Sequence, residues 1–156
     1  MLEHGLAAPQ IAALLILLQR GAEEIYSSRN TRALLAAGGR EVGGDYYPVV
    51  AVTHLAWIAA LFLLTPPSAP IVWPLLALYL ALQVVRYWVI ASLGRYWTHR
   101  VITLPDAPVV RAGPYRYLNH PNYAVTITET FLLPFAFGAV ASRRDLRLCV
   151  ERGALL

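Results

Sequence analysis

Residues 46–85 read YYPVVAVTHLAWIAALFLLTPPSAPIVWPLLALYLALQVV, forty positions from Tyr46 to Val85 without one charged side chain. A helix crossing a hydrocarbon core of roughly 30 Å needs about 20 residues, so this run is long enough to cross twice. The break is Thr65-Pro66-Pro67-Ser68-Ala69-Pro70, whose three prolines cannot continue a helix. The expected unit is a helical hairpin, Tyr47 to Leu64 and then Ile71 to about Leu93. Arg86 falls near the far end of the second arm, where a long side chain either snorkels to the interface or turns to the protein interior.

The composition around this hairpin agrees with it. Of 156 residues, 58% are hydrophobic and 14% charged, and the mean hydropathy is +0.51. Soluble domains lie nearer half apolar and a quarter charged, so the balance points to a membrane protein and excludes disordered, collagen-like and disulfide-rich secreted chains. Upstream, Gly5 to Gln19 is free of charge but lacks the basic start of a signal peptide and follows Glu3. A first helix is expected from about Ala8 into the twenties, with Glu23 and Glu24 at the interface or paired. Downstream, Asn122 to Ser142 is a fourth hydrophobic segment carrying one charge, Glu129. The expected fold is all-α, a polytopic membrane-embedded bundle of about four transmembrane segments forming one domain over residues 1–156. A connector occupies 94–123 and a basic tail 143–156.

All thirteen basic residues are arginine, against nine acids. They lie mostly between apolar segments rather than along one amphipathic stripe, which disfavours nucleic acid as a partner and fits topogenic loops. Arg29, Arg32 and Arg40 follow the first segment, Arg95, Arg100, Arg111 and Arg116 precede the fourth, and the proline turn has none. The positive-inside bias places the two arginine-bearing connectors in the cytoplasm and the N-terminus outside. Arg143, Arg144, Arg147 and Arg152 break the pattern, since a fully spanning fourth segment delivers them to the outer face. Either that segment kinks and returns near Pro134 and Gly138, or the tail lies outside, or a helix is missing.

Chemistry concentrates in the connector. It contains Arg95-Tyr96-Trp97-Thr98-His99-Arg100 and then Gly113-Pro114-Tyr115-Arg116-Tyr117-Leu118-Asn119-His120-Pro121-Asn122-Tyr123. An aromatic belt with basic anchors accounts for Tyr96, Trp97, Tyr115 and Tyr117, but not for a His-Pro-x-Tyr opening a helix. Pro121 suits the first helical position, which puts His120 near the N-cap and Tyr123 in the first turn. Free backbone N–H groups at such an end favour a carboxylate or another anion.

Gly113 to Tyr123 resembles the glycine-x-tyrosine and arginine-histidine-proline-x-tyrosine signature of the isoprenylcysteine carboxyl methyltransferase superfamily. Arg86 to Thr98 looks closer to its small bacterial branch, similar to alkylpyrone O-methyltransferases. The resemblance is good over roughly Val84 to Gly138 and is only a hydrophobic pattern over the first eighty residues. It implies an integral enzyme of the bacterial inner membrane that uses S-adenosylmethionine, with its active site facing the cytoplasm. By resemblance, Gly113, Tyr115, His120, Pro121, Tyr123 and Glu151 border the cofactor, and Arg147 completes the pocket with Glu151. Glu129, an acid inside an apolar segment and so functional by default in a membrane, joins Arg147 as a catalytic candidate. Two departures stand out. Asn119 replaces the usual arginine, and Val140 and Arg147 are seven positions apart where relatives have a further helix.

The expected function is methyl transfer to a lipid-like acceptor, an O-methylation of a carboxylate or an acidic enol or hydroxyl. Its partners are the membrane and that small molecule. The alternative is a non-catalytic membrane protein that keeps the fold, has lost the closing helix and binds a lipid or a partner. Glu129 either serves the site or pairs with a neighbouring arginine, and Arg86 is either such a partner or an anchor. His99 reads as a loop residue rather than a base, and His54 as hydrogen-bonded packing. Spacing gives no metal set, and no feature fixes the oligomeric state.

Overall fold

The computed structural model describes residues 6–105 and 107–138. Four helices follow in order: α1 (Ala8–Ala36), α2 (Tyr46–Leu64), α3 (Trp73–Leu93) and α4 (Pro121–Ala136). The fold is a helical membrane bundle, and α2 and α3 are long and apolar enough to cross a bilayer. Helices suit that medium because each satisfies its own backbone hydrogen bonds.

The chain runs up and down. The Gln10 amide near the start of α1 donates to the carbonyls of Phe62 and Thr65 at the end of α2, at 3.3 and 2.9 Å. The Val72 N–H, at the start of α3, donates to the Ala136 carbonyl at the end of α4, at 2.8 Å. The start of α1, the proline turn and the end of α4 therefore share one end of the bundle. The 37–45 and 94–120 connectors share the other. Between the ends, Ala13, Ile16, Ile58, Leu61, Tyr79, Leu133 and Phe137 form the apolar core. α1 packs closely on α2 and α3 on α4, leaving a seam between two helical hairpins.

Three elements differ from the sequence expectation. α1 does not stop in the twenties but runs 29 residues to Ala36, about 44 Å at the usual rise. It therefore extends well beyond a hydrocarbon core, and its last turns carry Arg29 and Arg32 on the exposed side and bury Asn30, Thr31 and Leu34. Arg40–Val42 (β1) pairs antiparallel with Val101–Thr103 (β2), in register Arg40↔Thr103 and Val42↔Val101. This two-stranded ribbon is too short for periodicity to reveal. α4 ends at Ala136 rather than near Ser142, and Gly138, at a left-handed φ of 68°, forms the turn that follows it. Pro134 lies inside α4 without ending it, and any return beyond Gly138 lies outside the described residues.

Candidate functional site

The connector end is built on α3 and on the protruding half of α1. The Asn30 amide donates to the carbonyls of Gly94 and Trp97, at 3.1 and 2.8 Å. The His99 N–H donates to Ser27 Oγ at 2.8 Å, and His99 Nδ1 lies 2.9 Å from Glu24 Oε2. Trp97 is buried and stacks on Tyr26, with the His99 ring against its edge. Arg100 holds the Glu41 carboxylate at 3.0 and 3.1 Å, and its guanidinium sits 4.4 Å over the Tyr47 ring. One face of α1 therefore fixes the connector up to β2. His99, expected to be a loop residue, is a loop residue tied down at three points.

The next stretch folds onto α3. Gly113–Arg116 forms a short 3-10 helix whose Gly113 has a left-handed φ of 55°. A Cβ there would collide with the Ser92 hydroxyl and reach within 3.0 Å of Trp88 Nε1. Glycine is required on both counts, for the dihedral and for the close approach. Past it opens a recess of about 520 Å3, lined by Val109, Val110, Arg111, Tyr115, Arg116, Leu118 and Asn119. That is the size range of small-molecule sites. Burial pushes the Tyr115 phenol up to about 12, so at neutral pH it is a hydrogen-bond donor and not a base.

α4 begins where Pro121 predicts. His120 is the N-cap residue but makes no side-chain cap, which leaves the first-turn N–H groups open to an anionic group. The exposed His120 and Tyr123 rings stand 5.8 Å apart, and the buried carbonyl oxygen of the Asn122 side chain has no partner among the described residues. The structure thus gathers Gly113, Tyr115, His120, Pro121 and Tyr123 at one end of the bundle. Arg111 and Arg116 are additional lining residues. Along the chain they read as topogenic, and nothing in their spacing distinguishes them from the other loop arginines.

Glu129 is elsewhere. It lies on the buried stripe Pro121, Val125, Glu129, Leu133 of α4, whereas Tyr123 is on the exposed side. Its Oε2 accepts from Arg20 at 2.7 Å and Arg86 at 3.2 Å, and its Oε1 from Gln83 at 2.9 Å. Glu23 accepts from Arg86 at 2.7 and 2.6 Å, from Arg20 at 2.8 Å and from Gln19 at 3.1 Å. Four charged side chains from three helices therefore meet at one depth. Arg86 lies about 10 Å below the end of α3 and Glu129 about 12 Å into α4 at 1.5 Å per residue. Arg86 is a buried partner for acids, as one of its two readings had it. Arg147 and Glu151 lie outside the described residues.

Residues 75–143 match the isoprenylcysteine carboxyl methyltransferase (ICMT) family. The chain is 34% identical over 129 residues to the uncharacterized protein YpbQ of Bacillus subtilis (strain 168), covering 80% of this chain and 77% of that one. It is 26% identical over 107 residues to an uncharacterized protein of Haemophilus influenzae (strain ATCC 51907 / DSM 11121 / KW20 / Rd), covering 65% and 61% of the two chains. No solved structure matches it.

Proposed function

The chain belongs to the isoprenylcysteine carboxyl methyltransferase family, and on that footing we propose that it is an S-adenosylmethionine-dependent methyltransferase acting on a lipid-like acceptor. The reaction we assign is O-methylation of a carboxylate or an acidic enol or hydroxyl. The observation that carries this reading is the recess at the connector end, where two arginines and Tyr115 adjoin the uncapped start of α4 with His120 and Tyr123. The donor set fits the cofactor: Arg111, Arg116 and the α4 N–H groups suit its carboxylate, and Val109, Val110 and Leu118 suit its apolar face.

When bound, the cofactor supplies a methyl group already activated on a sulfonium centre. The chain's own task is then alignment of acceptor oxygen, methyl carbon and sulfur, which can lower the barrier by several kcal/mol. In this reading His120 and Tyr123 contact the cofactor, Gly113 lets the connector lie against α3, and Tyr115 offers its neutral hydroxyl. Pro121 sets the angle at which α4 leaves the site. Arg147 and Glu151 help to close the cofactor pocket, while Glu129, buried against Arg20, Arg86 and Gln83, is a structural partner beneath it rather than a catalytic group. The acceptor's chain lies among the helices. The arginine-bearing end faces the cytoplasm from the inner membrane, a placement supported by Arg29, Arg32, Arg40, Arg95, Arg100, Arg111 and Arg116 sharing that end.

The test is transfer of radiolabelled methyl from S-adenosylmethionine into the organic extract of membranes carrying the full chain. Label in extractable lipid, base-labile where the acceptor is a carboxylate and base-stable where it is an enol or hydroxyl, and lost in His120→Ala, is the expected result. Label no higher than in membranes lacking the chain contradicts the proposal and favours a non-catalytic lipid-binding protein.

A further inference from the structure

The β1–β2 ribbon has an inner and an outer side. The inner side carries Glu41, held by Arg100, and Ile102, whose side chain a Cβ on Gly39 would strike together with the Leu34 carbonyl. The register then gathers Arg40, Val42, Val101 and Thr103 on the outer side. Val42 and Val101 are direct cross-strand neighbours, each 54% exposed, and Tyr46 beyond them is 76% exposed. Clustered apolar residues on a surface mark a contact.

Depth and charge together name what makes that contact. The 19 residues of α2 extend about 28 Å, close to a hydrocarbon core of roughly 30 Å, so Tyr46 stands at the core's boundary. β1 descends to that boundary from the tip of α1, where the Gly39 N–H donates to the Leu34 carbonyl, and Gly43, Gly44 and Asp45 complete the way to α2. The valine pair is therefore the membrane-proximal end of the ribbon. Arg40 and Thr103 lie two residues higher, about 7 Å, which is roughly the thickness of a headgroup layer. Glu41 is taken by Arg100 and Glu24 by His99. Among the described residues Arg29, Arg32, Arg40, Arg95, Arg111 and Arg116 at this end have no ion pair, and Asp45 is the one acid left unpaired.

We infer that the outer face of the β1–β2 ribbon seats on the leaflet at the connector end and selects anionic phospholipid, with Val42 and Val101 against the tops of the acyl chains and the Arg40 guanidinium on the phosphate. A choline headgroup neutralises its own phosphate, whereas a glycerol headgroup leaves that charge to the arginine. The inference goes beyond the methyltransferase reading and does not rest on it, since it needs neither cofactor nor acceptor.

The test uses the full chain with Cys149→Ser in phosphatidylcholine nanodiscs. A fluorophore is placed at Thr103→Cys on the ribbon or, as a control, at Ser68→Cys in the proline turn. Each is quenched by phosphatidylglycerol or by phosphatidylcholine bearing the same nitroxide near the top of one acyl chain. At position 103 half-quenching should need about fivefold less phosphatidylglycerol than phosphatidylcholine, the equivalent of ~1 kcal/mol for one arginine near an anionic surface. High salt and Arg40→Gln should abolish the preference. Arg111→Gln, which removes the same charge from the recess, should keep it, and position 68 should show none. Equal quenching by the two lipids at position 103, or an undiminished preference in Arg40→Gln, overturns the inference. An equal loss in Arg111→Gln also overturns it, because net charge and not the ribbon would then select the lipid. So does quenching by neither lipid, which would put this face in water or against a second copy of the chain.

Discussion

Arg86 illustrates what a single residue does in this bundle. Both of its carboxylate partners are buried with it, so its removal leaves two buried carboxylates sharing Arg20 as their remaining cation among the described residues. Truncating one member of a buried ion pair typically costs about 3–5 kcal/mol. Arg86→Ala should lower unfolding stability by that order in mixed micelles, and Glu23→Gln by less, because an amide retains part of the bonding. Equal stability of Arg86→Ala and wild type would remove the cluster's structural role. Tyr115 gives a second residue-level expectation. Its phenol holds its proton up to about 12, against an ordinary value of about 10. Between those values the folded state keeps a proton that the unfolded state has lost, so this group makes stability fall as pH rises. Tyr115→Phe should remove an ultraviolet phenolate transition near the upper value; loss of one near pH 10 would contradict the burial. The charges of the cluster were visible in the sequence one at a time, as Glu23, Arg86 and Glu129 in apolar segments. Their assembly was not, because residues 63 and 109 positions apart along the chain meet only through helix packing.

Among the elements, α1 is the one whose length changes the account. Hydropathy ends the first span in the twenties, and the helix continues because its polar half is stabilised by docking rather than by lipid. Asn30 is the key contact, closing the carbonyls of Gly94 and Trp97. Asn30→Ala should cost about 1–3 kcal/mol, the penalty for leaving buried carbonyls unpaired, and should speed amide exchange over residues 94–103 while leaving α2 unaffected. Unchanged exchange in the connector would mean that α1 does not hold it. Pro121, by contrast, was fully legible: its fixed φ and missing N–H suit the first helical position alone, and α4 starts there. The recess is intermediate. Gly113 and Tyr115 were readable from the family-like motif, whereas Arg111 and Arg116 look like any loop arginine until the 3-10 turn brings them together.

For the whole molecule, the up-and-down order follows from two uncharged arms and a proline turn, and charge alone assigns the ends. In a Cys149→Ser background, Arg40→Cys and Arg111→Cys should label from one side and Ser68→Cys from the other. The β1–β2 pairing and the bonds at the proline end demand that grouping. Labelling of position 68 from the same side as position 40 would overturn it. In the proposed function the connector and the start of α4 together bind S-adenosylmethionine. The direct measurement is calorimetric titration of the cofactor into the purified full chain, beside His120→Ala, Tyr123→Phe and His54→Ala. Losing a contact of about 1–3 kcal/mol corresponds to roughly five- to hundred-fold weaker affinity. Saturable binding is expected, with a loss of that size for His120→Ala and Tyr123→Phe and no change for His54→Ala. Absence of saturable binding at millimolar cofactor, or undiminished affinity in His120→Ala, would contradict it.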